Sequence, residues 1–175
     1  MGYNTYRRKG VEYAKEIWGA KTTKKADIMI VSSYPADQDF WQSPKAMYAA
    51  ERALKGESGG TMILVSPNYE GVGPHPEYPE LMGKDGGDAV VEACIRGEAP
   101  GDPLAIAVGN SMSKMRRRRH LVVVGDGLSK EDAARCGCDH YYSHELQKAV
   151  EDAMAKYPNC RVSALSHGAE TFLYE

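Results

Sequence analysis

The chain has 175 residues, 42% of them hydrophobic and 26% charged, with a formal net charge of −2. This is enough for one well-buried domain of an ordinary globular kind, and the charge gives no electrostatic reason to expect nucleic acid. No apolar stretch approaches membrane-span length, the polar N-terminus lacks a signal-peptide core, and four cysteines without a dense framework suit a reducing compartment, so a cytoplasmic location is expected.

Residues 3–18 have helical periodicity, with Val11, Ala14, Ile17 and Trp18 on one stripe and Gly19 as a stop. Residues 21–25 read as a polar connector. The run Ile28 to Val31 is short and rich in β-branched residues, which suits a buried strand. A helical pattern follows, with Met47, Ala50 and Leu54 on one face. Residues 34–46, the strand-to-helix loop between them, stand where open α/β sheets bind ligands.

Two helix starts compete in that loop. Asp39 with Gln42 has capping-box-like spacing and is the one favoured, with an irregularity expected near Pro44; Ser43 followed by Pro44 is the alternative. Either start leaves Gln42 and Lys45 together at a helix N-terminus. A cation there is unfavourable unless an anion joins it. An amide to orient and an ammonium to neutralise would bind a carboxylate, with Trp41 as an apolar wall. A solvated lysine and a core tryptophan are the plainer reading of the same residues.

Residues 61–66 form a second buried strand, so strand, helix and strand make a βαβ unit with parallel strands. The loop 67–79 then opens on the same sheet edge, carrying Asn68, Glu70 and His75; the last two are either an acid/base pair or a polar rim. Helices are expected over 85–95 and 103–115. The second has Asp102 as N-cap, Pro103 at its first position, and a buried face of Leu104, Ala107, Val108, Ser111, Met112 and Met115. Arg116 to Arg119 close that helix, where cations are favoured, and lack the wider basic surface that nucleic acid needs.

The third strand is 121–124, and the glycines of Gly125-Asp126-Gly127 do not make a dinucleotide fingerprint. Ser129 caps a short helix ended by Gly137. Cys136 and Cys138, with His140 and His144, lack the ligand spacing of a zinc site. Tyr141 and Tyr142 fall in a short strand, and Ser143 caps a helix with Leu146, Ala149, Val150, Ala153 and Met154 on its face. A turn at Pro158-Asn159 leads to a last strand, 161–165, and to Ser166-His167-Gly168. Adjacent residues seldom point at each other, and no nucleophile elbow is present, so Ser166 and His167 are not read as a hydrolase pair.

Five elements in order carry a resemblance: Ala26-Asp27-Ile28; Tyr34-Pro35-Ala36-Asp37; Trp41-Gln42-x-x-Lys45-Ala46; Gly59-Gly60-Thr61 before Ile63-Leu64-Val65; and Glu70-Gly71-Val72-Gly73. From residue 10 to 73 the chain resembles the C-terminal domain of the nickel-pincer lactate racemase family, which includes paralogues acting on other 2-hydroxy acids. Fainter similarity runs to His167-Gly168, where Ala169 departs from the family's His-Gly-Gly-like ending. The resemblance implies substrate-facing roles for Trp41, Gln42 and Lys45, with no catalytic residue in this chain and no metal ligand; Glu70 and His167 are read separately as groups behind them, His167 alternatively as purely structural.

It also implies a nickel-pincer nucleotide cofactor that takes hydride from the substrate's α-carbon. That cofactor and the acid/base histidines would be held by an N-terminal catalytic domain or subunit, which is the expected partner besides a small 2-hydroxy acid. Residues 1–175 are accordingly expected to form a single three-layer α/β/α domain with a mostly parallel sheet. The function expected is the substrate-facing half of a 2-hydroxy-acid racemase or epimerase, inactive alone. The rival is a non-catalytic ligand-binding or interaction module that kept the fold.

Overall fold

The computed structural model describes residues 3–22, 24–98 and 100–174. Five parallel strands, in the order β5-β4-β3-β2-β6, form the central sheet: β2 Ile28–Ser32, β3 Thr61–Val65, β4 His120–Val124, β5 Asp139–Tyr141 and β6 Val162–Leu165. Side chains alternate between its faces. Met29, Val31, Met62, Leu64, Leu121 and Val123 meet α2 (Lys45–Ala53), α3 (Glu77–Gly83), α5 (Pro103–Arg118) and α6 (Lys130–Arg135) on one face. Ile28, Ile63, Val122 and Val124 meet Ala149 and Ala153 of α7 (Leu146–Met154) on the other. This is the expected three-layer arrangement, and it explains why the strands are apolar throughout rather than alternating.

A second, two-stranded parallel sheet joins β1 (Gly19–Lys21) to β7 (Phe172–Tyr174). The connector expected over 21–25 therefore begins inside a strand; Thr23 lies outside the described residues. The helix α1 (Tyr3–Trp18) forms, but its stripe does not reach the core. Val11, Ile17 and Trp18 are 49%, 70% and 48% exposed. Among the described residues no helix is long and apolar enough to cross a membrane.

Four further expectations are corrected. The loop after β3 ends earlier than 79, because Pro76 precedes α3, whose Tyr78 and Met82 are fully buried. A helix α4 (Gly87–Ile95) forms where 85–95 was expected, but α5 turns a different face inward. Leu104 is exposed, while Ala105, Ile106, Gly109, Asn110, Met112, Ser113 and Met115 are buried. A Cβ on Gly109 would lie 2.9 Å from Leu81 Cβ and 3.0 Å from the Tyr78 carbonyl oxygen, so close helix contact selects small residues over leucine. Finally, Ser143 does not cap α7: its hydroxyl and N–H both donate to Asp126. Tyr142 falls just past β5.

The four arginines are bonded within the fold. Arg116 and Arg117 reach Asp85, and Arg118 makes a two-pronged pair with Glu51. Arg119 is buried and donates to the carbonyls of Lys55, Gly56 and Gly59, holding the turn before β3.

Candidate functional site

The strand order places a reversal beside β2. The chain adds β3, β4 and β5 successively on one side of β2, then returns to lay β6 on the other. Loops leaving the carboxyl ends of β2 and β6 diverge at such a point, which is where open α/β sheets form a crevice. The β2 loop carries Trp41, Gln42 and Lys45; the β6 loop carries His167 and Gly168. A Cβ on Gly168 would fall 2.2 Å from Val31 Cγ2 and 2.8 Å from Ala46 Cβ, and its N–H donates to the Ser32 carbonyl at 3.0 Å. The β6 loop is thereby seated against the end of β2 and the start of α2.

Asp39 starts the turn that leads into α2. Its Oδ1 accepts from the Gln42 N–H at 2.8 Å, and its carbonyl accepts from Ser43 N–H at 3.0 Å. Ser43 caps nothing: its hydroxyl is buried without a partner. Two i to i+3 bonds, Lys45 to Gln42 and Ala46 to Ser43, carry the chain past Pro44, and regular helix begins at Lys45. Proline has no N–H to give, so the expected irregularity falls there.

This geometry brings Gln42 and Lys45 together. The Lys45 ammonium donates to the Gln42 side-chain carbonyl. Lys45 is exposed and lines a groove of about 230 Å³ with Tyr48, Arg52, Gly168, Thr171 and Phe172. Larger hollows occur elsewhere, one of about 520 Å³ along α1, but that one is walled by a single helix and brings no distant residues together. Trp41 is half-buried. Its ring lies 4.0 Å from that of His75 and 5.1 Å from that of Tyr78, the latter edge-on. The Phe40 N–H donates to the Gly71 carbonyl at 2.8 Å, tying the β2 and β3 loops together.

Glu70 and His75 do not meet as a pair. Glu70 accepts from Gln38 Nε2 at 2.6 Å, whereas His75 Nδ1 lies 2.8 Å from Asp102 Oδ2. The Leu104 N–H, and with it the His75 ring, hold the Asp102 carboxyl below its ordinary value. His167 stands edge-on to Tyr34 at 5.3 Å, and its Nδ1 is 3.0 Å from Ser166 Oγ. These adjacent side chains therefore do meet, contrary to the expectation. Among the described residues no carboxylate is bonded to His167, so the contact has no third member. The Asp102–His75–Trp41 sequence of contacts escaped the sequence reading, in which Asp102 was only a helix cap.

Among the described residues no three His, Cys, Asp or Glu side chains lie together as a metal site. Cys136 and Cys138 are buried in the core, burial pushing the Cys136 thiol up to about 12, and His140 Nε2 is 3.0 Å from the Gly125 carbonyl oxygen. These donors do not fit a nickel centre.

Residues 21–169 match the family described as the lactate racemase C-terminal domain. A lactate racemase from Thermoanaerobacterium thermosaccharolyticum is 40% identical over 72 residues, which are 40% of this chain and 16% of that protein. The structure of the lactate racemase apoprotein from the same organism superimposes with a TM-score of 0.78 at 24% identity, over 97% of this chain and 40% of that one. The chain thus spans well under half the length of either relative, and the superposition establishes the shared α/β fold.

Proposed function

Because the chain belongs to the lactate racemase C-terminal domain family, we propose that it is the substrate-facing half of a 2-hydroxy-acid racemase or epimerase. The observation that carries this reading is the bonded Gln42–Lys45 pair at the helix entrance beside the sheet's reversal, with Trp41 immediately before it in the chain. The ammonium neutralises the substrate carboxylate, the amide fixes its orientation, and the indole keeps water from that side. Glu70 and His167 reach the same β2 loop, Glu70 through Gln38 and His167 through Tyr34. A lysine, an amide and an indole offer no hydride acceptor, so in this reading they hold the acid and the hydride step lies elsewhere.

In this reading the nickel-pincer nucleotide, which supplies hydride transfer when bound, is held by a separate N-terminal catalytic domain or subunit. This chain's own donors do not fit a metal, so they position the acid and exclude water. The test is to incubate the purified chain with L-lactate, alone and mixed with the cofactor-loaded N-terminal domain of a racemase, and to follow D-lactate by chiral chromatography. Racemisation is expected in the mixture and not with the chain alone. Racemisation by the chain alone, or stoichiometric nickel on it, overturns the division of labour.

A further inference from the structure

Trp41 is packed by Gly73, Tyr78 and His75. A Cβ on Gly73, at φ +95°, would lie 2.9 Å from Trp41 Cβ and 3.1 Å from Asp39 Cγ, so the β3 loop passes directly beneath the indole's attachment. Tyr78, fully buried, meets the ring edge-on. His75 covers it at 4.0 Å with planes inclined by 39°. The His75 ring is in turn fixed by Asp102 Oδ2 at 2.8 Å, while the other oxygen of that carboxylate accepts the Leu104 N–H at 2.9 Å. One carboxylate therefore starts α5 and orients an imidazole lying on the proposed substrate wall. A helix cap needs only one oxygen; the second is spent on His75.

From this arrangement we infer that His75, oriented by Asp102, is the positioning residue for the Trp41 indole. The inference rests on the reading of Trp41 as a wall of the acid-binding site, and it extends the specificity-determining set to two residues on other loops. A flat ring against the indole restricts its rotation, and an acid bound by Lys45 then meets a wall of defined shape. Without the ring the indole can turn and the wall is lost.

The test uses the full chain in a Trp18→Phe background, which leaves Trp41 as the only indole, since the sequence has two tryptophans. Near-UV circular dichroism and the indole N–H resonance then report Trp41 alone. Asp102→Ser keeps the α5 cap but has no second oxygen for His75. His75→Gln is long enough to bond Asp102 but has no ring. Both variants are expected to keep the far-UV spectrum and the melting temperature while losing at least half of the long-wavelength indole band and shifting the N–H resonance. His75→Phe keeps a ring but has no nitrogen to bond Asp102, and is expected to lose the band as Asp102→Ser does. Survival of the full band in His75→Gln would overturn the inference, because a hydrogen-bonded tie without a ring would then suffice. No ligand enters this measurement, so a failure of carboxylate binding leaves it standing, and its failure leaves Lys45 untouched.

Discussion

The Lys45 ammonium donates to the side-chain carbonyl of Gln42, three residues earlier at the entrance to α2. Among the described contacts the Gln42 NH₂ and the remaining ammonium hydrogens have no partner, and the bond fixes the two groups in relation to one another before any ligand arrives. Lys45→Ala is therefore expected to weaken lactate binding by about tenfold or more, the loss of one charge-assisted bond. Lys55→Ala is the control, because Lys55 pairs with Asp27 at 2.7 Å on another part of the surface. Isothermal titration of the reconstituted complex separates them, and equal effects would make Lys45 ordinary surface.

Gly168 tests the seating of the β6 loop. Alanine there puts a methyl group 2.2 Å from Val31 Cγ2 and 2.9 Å from the Ser32 carbonyl oxygen. Neither the core valine nor the strand backbone can withdraw freely, so Gly168→Ala should lose about 1–3 kcal/mol of stability. Urea denaturation measures it; an unchanged midpoint would show that the loop has room to move.

Asp27 governs an acid-sensitive tie. The Arg161 N–H at 2.8 Å, and after it Lys55, hold its carboxyl below the ordinary 3.8. A depressed folded value means that the contribution is complete above the unfolded value and lost as pH falls through the folded one. Asp27→Asn should accordingly be less stable than the parent at pH 7. That deficit should vanish in strong acid, well below 3.8, when urea midpoints are compared across pH.

Tyr78 carries a buried hydroxyl with no partner, and burial pushes its ionisation well above 10. The ring contributes packing against Phe40 and Trp41, whereas the oxygen forfeits its hydration. Tyr78→Phe is expected to be neutral or to add about 1 kcal/mol of stability in thermal melts. A loss of similar size would mean that the hydroxyl is satisfied in solution by a bound water.

The parts of the fold set by short-range chemistry were readable in the sequence. The apolar runs at 28–31, 61–65 and 121–124 became adjacent parallel strands, and Asp102-Pro103 began α5 at the expected residue. What stayed hidden depends on partners far along the chain. Gly19–Lys21 has no strand signature and is a strand only because residues 172–174 lie beside it. The face of α5 could not be read from hydrophobicity, because its neighbour α3 sits in a loop-like sequence and demands a small residue at 109. At the site, Asp39, Gln42 and Lys45 are local and were legible. The contacts of Glu70 with Gln38 and of His75 with Trp41 are set by where loops 33–44 and 66–76 cross, and that of His75 with Asp102 by where α5 begins, which no spacing reveals.

The strand order also dictates when this crevice can exist during synthesis. Its first wall is encoded by residue 45, but the second is β6 with Gly168, encoded more than a hundred residues later. The β1–β7 pairing then ties residue 19 to residue 172, joining the earliest strand to the latest. A nascent chain can lay down β2 to β5 as it emerges, yet the proposed crevice stays incomplete until β6 has followed.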